Sequence, residues 1–415
     1  MELTIEQNCP SCGASIVLGE DDRVIRCMYC DVIQYRLENV AGRYVLPAKF
    51  PAQIDESQIF YMPYLRFKGS IFYVLGPEVK HKIIDTSRLG VEAEALPVSL
   101  GLRPQAMRLS PVVSTHRGGF IPQTVPTKSV FAQAAMVTEL FGEKRKKPLY
   151  HRAFIGETIS RIYQPYYLKS GIVYDAVDNQ PIGGEKLFTD HLAEAVPGQV
   201  AWEPRFISTL CPKCGGPLAG ERDSCVLACP NCETFWQEHE GSFHGLEWQA
   251  VESQSPTARY LPFWRITFET KGWSLKSYGD FLRLANPPIV FGSRFDATPL
   301  SFLIPAFKVN PKAFLLVASQ LSLSQWKLPE GMHHRVGKAY PANLGQKEAI
   351  EAVKSVLAAT VANKKERLPM LPEMTVDVRQ SSLLYLPFTE QPHDLVQEHT
   401  MATVLTAALR YGRSL

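Results

Sequence analysis

Two clusters of four cysteines constrain this chain more than any other feature. The first is Cys9-Pro10-Ser11-Cys12-Gly13, closed by Cys27-Met28-Tyr29-Cys30; the second is Cys211-Pro212-Lys213-Cys214-Gly215, closed by Cys229-Pro230-Asn231-Cys232. In each, fourteen residues separate the two C-x-x-C pairs. One C-x-x-C turn presents two sulfurs to an ion and the second supplies the other two, which completes the tetrahedron zinc takes at roughly 2.3 Å per sulfur. The spacing predicts two metal ions per chain, with Cys9, Cys12, Cys27 and Cys30 on one and Cys211, Cys214, Cys229 and Cys232 on the other. Four protein ligands leave no open coordination position, so the sites read as structural rather than catalytic. Iron in a four-thiolate site has the same first shell, and spacing leaves zinc and iron both open.

Local chemistry around the cysteines agrees. Pro10 and Pro212 stiffen the first turn of each cluster, and Gly13 and Gly215 suit the positive φ expected just after it. Short β-type runs (15–18, 23–26 and 224–228) lie between the arms, with turns at Gly19-Glu20-Asp21-Asp22 and Gly220-Glu221-Arg222-Asp223. Both segments resemble the zinc ribbons of transcription factors, ribosomal proteins and many bacterial proteins. That resemblance covers only the cluster segments; it implies the eight cysteines as ligands and no activity. The ninth cysteine, Cys225, reads as a small apolar side chain. The acidic N-terminus has no apolar h-region, no apolar run is long enough to span a bilayer, and metal-bound thiolates fit a reducing compartment; the expected location is cytoplasmic.

A second repeat supports an internal duplication. Tyr-x-Pro-aromatic occurs at Tyr61-Met62-Pro63-Tyr64, Tyr163-Gln164-Pro165-Tyr166, Tyr260-Leu261-Pro262-Phe263 and Tyr385-Leu386-Pro387-Phe388. The order is cluster, motif, motif, then the same again. Cys9 and Cys211 are 202 residues apart and Tyr61 and Tyr260 are 199 apart, but Tyr163 and Tyr385 are 222 apart, so the second half carries insertions. Arg103 to Leu109 is matched with Ile304 to Val309. The chain resembles bacterial multi-ribbon proteins with repeated Y-L-P-F sequences. The expected fold is α+β and duplicated: ribbon 1 over 1–40, an α+β body over 41–197, ribbon 2 over 198–242 and a second body over 243–415. Each body would be built mainly of β-hairpins covered by a few helices.

Hairpins are expected after the motifs, turning at Lys68-Gly69-Ser70, at Lys169-Ser170-Gly171 and at Lys271-Gly272, with each proline at a strand entry. Packing of a repeated core explains the aromatics better than a platform for stacking bases. Helices are expected over Gln346 to Asn363, which places Ile350, Val353, Leu357 and Val361 on one face, and more weakly over Ser129 to Phe141. A last helix would be capped by Asp394 with Gln397 and would end at Gly412.

Charge is uneven although the net is only +3. Residues 1–40 hold seven acids against three arginines, and residues 205–240 five acids against three bases, the wrong sign for phosphate contacts. The segment 95–152 holds nine bases against two acids, densest at Lys144, Arg145, Lys146 and Lys147; the segment 303–347 holds six bases against Glu330. These segments either bind a polyanion or dock on the acidic ribbons, within the chain or between copies. Walker A, G-x-G-x-x-G, H-E-x-x-H and G-x-S-x-G are absent, the pair His333-His334 points apart, and His239 and His244 are at most spare ligands. The sequence favours a zinc-binding adaptor or assembly factor with a protein partner, not an enzyme. The alternative is nucleic-acid binding through 95–152 and 303–347.

Overall fold

A computed structural model describes residues 3–37, 42–127, 129, 147–253, 255–329, 332–333 and 336–413. The chain divides into two compact units. Unit 1 takes Met1–Lys68, Ile84–Gly142 and Thr158–Thr209; unit 2 takes Gly69–Ile83, Glu143–Glu157 and Leu210–Leu415. Strands and helices are both present, and sheet predominates. No helix among the described residues is long and apolar enough to cross a membrane.

Unit 1 begins with two hairpins, each folded across one C-x-x-C turn: β1 (Thr4–Asn8) with β2 (Ser15–Gly19), then β3 (Val24–Arg26) with β4 (Ile33–Arg36). Next come β5 (Gly42–Val45), β6 (Ile59–Leu75), β7 (Glu78–Leu89), β8 (Arg108–Pro111) and β9 (Gly119–Phe120). They are followed by β10 (Leu149–Lys169), β11 (Ile172–Asp175) and β12 (Pro181–Gly184), and β13 (Phe206–Ser208) pairs with β4. The main sheet runs β12-β11-β10-β5-β8-β1-β2, with β6 joined to β10, β7 and β9. By residue, the far ends of β6, β7 and β10 are counted in unit 2.

In unit 2, β14 (Val226–Cys229), β15 (Thr234–His239) and β16 (Ser242–Leu246) form an antiparallel sheet beside the second cluster. The larger sheet uses β17 (Trp248–Val251), β18 (Arg259–Lys271), β19 (Ser301–Pro305), β20 (Met332–His333) and β21 (Lys338–Ala339), then β22 (Thr375–Glu390), β23 (Asp394–Gln397) and β24 (Thr403–Leu405). One face buries Trp264, Ile266, Phe268 and Leu383, with helices Pro311–Ser324 and Gln346–Thr360 packed against the sheet. Alternation along β18 puts Arg265 and Thr267 on the opposite face.

The four Tyr-x-Pro-aromatic motifs lie on β6, β10, β18 and β22, and their aromatic rings are buried. Each unit pairs its motif strands alike. The strand after the first cluster runs parallel to β10 with Val45 opposite Tyr163; the strand after the second runs parallel to β22 with Ala250 opposite Tyr385. Tyr61 lies opposite Phe120 and Tyr260 opposite Ala339, both in parallel pairs. The Pro63 carbonyl accepts from Gly90 N–H and the Pro262 carbonyl from Ala306 N–H. The Gly90 carbonyl takes Thr124 and Val125 N–H, and the Ala306 carbonyl takes Asn343 and Leu344 N–H. The antiparallel pair Tyr166 and Asp175 has its counterpart in Phe388 and Gln397.

Several local expectations change. Lys68-Gly69-Ser70 is no turn: β6 continues through it, because a Cβ at residue 69 would sit 2.9 Å from Glu157 Cα, so this glycine serves a close strand approach. The chain reverses at Gly76-Pro77 instead. Lys169-Ser170-Gly171 does turn, with Ser170 and Gly171 at positive φ, while β18 ends at Lys271 and leads into a helix rather than a returning strand. Pro165 and Pro387 lie near strand exits, not entries. The hydrogen-bond pattern at Ala306 is matched at Gly90, just past β7, and not within 103–109.

The helix at Gln346–Thr360 forms with Val353 and Leu357 fully buried. The expected last helix shortens to Thr406–Gly412 because Asp394–Gln397 and Thr403–Leu405 are strands. The expected helix over Ser129 to Phe141 falls outside the described residues apart from Ser129. Two further helices carry signals legible in retrospect. Asn310-Pro311 caps and starts Pro311–Ser324, and Ser277 with Asp280 forms a capping box for Tyr278–Ala285.

Candidate metal centres

Each C-x-x-C turn brings its sulfurs together by one device. The backbone N–H four residues after the first cysteine returns to that cysteine's carbonyl: Gly13 to Cys9 at 2.8 Å, Asp31 to Cys27 at 2.9 Å, Gly215 to Cys211 at 2.8 Å and Glu233 to Cys229 at 3.0 Å. All four donor residues have positive φ, between 52° and 77°. Glycine adopts this without strain; Asp31 and Glu233 do so at a conformational cost of about 1 kcal/mol or more.

The sulfurs converge. In the first cluster Cys9 and Cys30 Sγ are 3.9 Å apart and Cys12 and Cys27 Sγ 3.7 Å apart. In the second, Cys211–Cys232 is 3.6 Å and Cys214–Cys229 is 3.5 Å. A tetrahedron with a metal–sulfur bond near 2.3 Å has edges of about 3.8 Å. All sulfurs of a cluster lie within 4.8 Å of one another, so each group of four can hold a metal ion. Burial repeats across the two, with the first and third cysteines buried, the second exposed and the fourth between. Backbone N–H groups favour the thiolate at one cysteine of each cluster. Those of Cys30 and Tyr29 bring the Cys27 thiol down to about 6. Burial opposes ionisation of Cys211, yet the N–H groups of Cys214 and Lys213 bring it to about 6 as well. At Cys12 and Cys214 the Ala14 and Gly216 N–H groups do the same but are outweighed by burial and the neighbouring cysteines, and these thiols go up to about 12.

The surroundings differ between the clusters. Thr234 Oγ1 lies 3.0 Å from Cys232 Sγ and accepts the Trp236 indole N–H at 2.9 Å, which leaves the hydroxyl proton for sulfur. Cysteine counting missed this pair; its signal is the hydroxyl two residues after the last ligand, where the first cluster has Val32. Cys225 is no ligand. It is buried, its N–H and its thiol both donate to the Ala342 carbonyl, and it fixes the second cluster to the 340–344 segment. His239 and His244 face each other on β15 and β16 with ring centroids 5.9 Å apart. The four-cysteine groups are the only His/Cys/Asp/Glu clusters of ligand spacing among the described residues, so neither histidine joins one.

The turn between the arms of each cluster is acidic and is held by arginine within its own unit. In unit 1, Glu20 pairs with Arg66, a side chain only 1% exposed, and Asp21 accepts from Thr158 at 2.8 Å and Lys68 at 3.5 Å. Arg66 also grips Asp85 with two parallel bonds of 2.8 Å. In unit 2, Arg413 holds Asp223 and Glu221, and Asn343 donates to Asp223 at 2.6 Å. The acidic turns therefore meet bases of their own unit, Arg66 and Lys68 in unit 1 and Arg413 in unit 2.

Of the proposed polyanion-binding residues, Lys144, Arg145 and Lys146 lie outside the described residues, and Lys147 is paired with Glu78 at 2.7 Å. Arg103 is tied to Asp175 and Asp178, and Lys308 is buried. Comparison with protein-family models, curated proteins and solved structures gives no match to this chain.

Proposed function

We propose that the protein is a zinc-binding interaction module: two zinc ribbons, each holding one structural zinc through Cys9, Cys12, Cys27 and Cys30 or Cys211, Cys214, Cys229 and Cys232, on two copies of one α+β fold. The shared strand pairings around the four motifs support the duplication. Four protein thiolates leave no coordination place for substrate, which supports binding over catalysis. The observation that carries the interaction is at the tip of ribbon 1. Met28 and Tyr29 stand between two ligands and are 87% and 76% exposed, on a segment with a net charge of −4 over residues 1–40. An exposed tyrosine and methionine between two ligands, on a segment of net negative charge, suit a protein partner offering an apolar pocket in basic surroundings.

The test places a photo-crosslinking residue at position 29 of the zinc-loaded chain, with another at exposed Val290 as control. A discrete protein adduct from position 29 alone, lost on Met28→Ser, supports the reading. Equal labelling from both positions, or adducts only to nucleic acid, rejects it.

A further inference from the structure

The matched strand pairings set two arginines at one structural position with opposite surroundings. Arg66 and Arg265 each lie two residues beyond the aromatic that ends the first motif of their unit, Tyr64 and Phe263. Arg66 is saturated: Asp85 takes Nε and Nη2, and Glu20 takes Nη1. Arg265 keeps the guanidinium and lacks both carboxylates. Its hydrogen bond is a long one, Nη1 to Gln249 Oε1 at 3.4 Å, and no carboxylate among the described residues comes within ion-pair distance. Burial alone acts on this side chain and lowers its pKa, with no opposite charge to restore it.

What stands before Arg265 is a cavity of about 520 Å³ lined wholly by unit 2. Its floor is the outer face of β18, β22 and β17, where Arg265 lies opposite Ser382 and Thr267 opposite Gln380. Gln249 and Trp248 contribute from β17, and Glu247 lines the edge, bonded by Gln380 Nε2 at 2.9 Å. Leu383 N–H bonds to the Glu247 carbonyl, which puts Glu247 and Arg265 on either side of Ser382, two strand spacings or about 10 Å apart. One end is thus cationic, the other anionic, and the floor between them carries amides and hydroxyls. The volume lies in the usual range for small-molecule sites.

We propose that this cavity binds a small ligand bearing one carboxylate, gripped by Arg265 as Asp85 grips Arg66, with a hydrogen-bond donor or amine directed to Glu247. Arginine's planar fork suits a carboxylate bidentately, and a ligand carboxylate would pair this half-buried cation. A second negative group is disfavoured by Glu247. Free amino acids and the carboxyl ends of short peptides share this chemistry.

The experiment uses the full, zinc-loaded chain with glycine, glycylglycine and N-acetylglycine, each against its carboxamide, followed by calorimetry and thermal melting. Saturable binding of the carboxylates but not the amides is expected, weakened about tenfold or more by Arg265→Gln and partly retained by Arg265→Lys. Preference for glycine would assign a free amino acid, and preference for glycylglycine a peptide terminus. Without ligand, Arg265→Gln should melt no lower than wild type, since it removes an unpaired cation. No saturable carboxylate binding, equal binding of acids and amides, binding that survives Arg265→Gln, or a lower ligand-free melting temperature in that variant each overturns the proposal.

Discussion

Replacing Arg66 by methionine tests how the first cysteine cluster is held to its unit. Arg66 and Glu20 side chains are 1% and 2% exposed, whereas Asp85 is 29% exposed. Burial alone would lower the guanidinium's affinity for its proton, but Glu20 and Asp85 outweigh it and raise the pKa. Without Arg66, Asp85 recovers water and loses little. Glu20 cannot: its second oxygen already has no hydrogen-bond partner among the described residues, so an uncompensated carboxylate is left in the interior. Breaking such a pair from one side costs about 3–5 kcal/mol. Removing both charges in Arg66→Met with Glu20→Gln should return most of that, leaving a deficit of about 1 kcal/mol. The assay is urea unfolding of the zinc-loaded chain at neutral pH for the wild type, both single variants and the double. A single-variant loss below about 1 kcal/mol, or a double variant no better than Arg66→Met, would refute the reasoning.

The second cluster should depend on its hydroxyl: Thr234→Val is expected to weaken metal binding there by about tenfold and leave the first cluster unchanged, measured by competition with a chromogenic chelator. Gly215→Ala should cost about 1 kcal/mol through backbone conformation alone, since an added Cβ meets nothing within 4 Å, and Glu233→Gly should offset part of that loss; both are read from thermal melts. Glu157 should contribute a stability that falls as pH rises from about 4.5 to 7. Burial, with Glu351 and Glu348 nearby and Lys347 opposing, raises that carboxyl from 4.5 to about 7. Over that window the native state binds a proton that the unfolded chain has released, a contribution of about 1–2 kcal/mol once partial exposure is allowed for. The difference in urea midpoint between wild type and Glu157→Gln should shrink or reverse as pH rises across the window, while His151, which burial lowers to about 4, acts on both alike.

Cysteine spacing was legible because a C-x-x-C turn is local: the sulfur positions, the i to i+4 bond and the positive φ of Gly13 and Gly215 follow from a few consecutive residues. The helix at Gln346–Thr360 and the turn at Ser170-Gly171 were legible for the same reason. Where a local signal had a distant cause, the reading failed. Gly69 resembles a turn glycine but makes room for Glu157, and Asp394 with Gln397 resembles a capping box although buried Gln397 closes a turn by accepting His399 and Thr400 N–H. The repeat of Tyr-x-Pro-aromatic was visible in the chain, but its partners were not, because Tyr260 meets Pro387 only through pairing across more than a hundred residues. Sequence alone determined the two ligand sets and the repeated motifs. Tertiary structure decided which acids the arginines meet, closing Arg66 on Glu20 and Asp85 and leaving Arg265 before a cavity, because an ion pair depends on where the backbone brings a side chain and not on its neighbours in the chain.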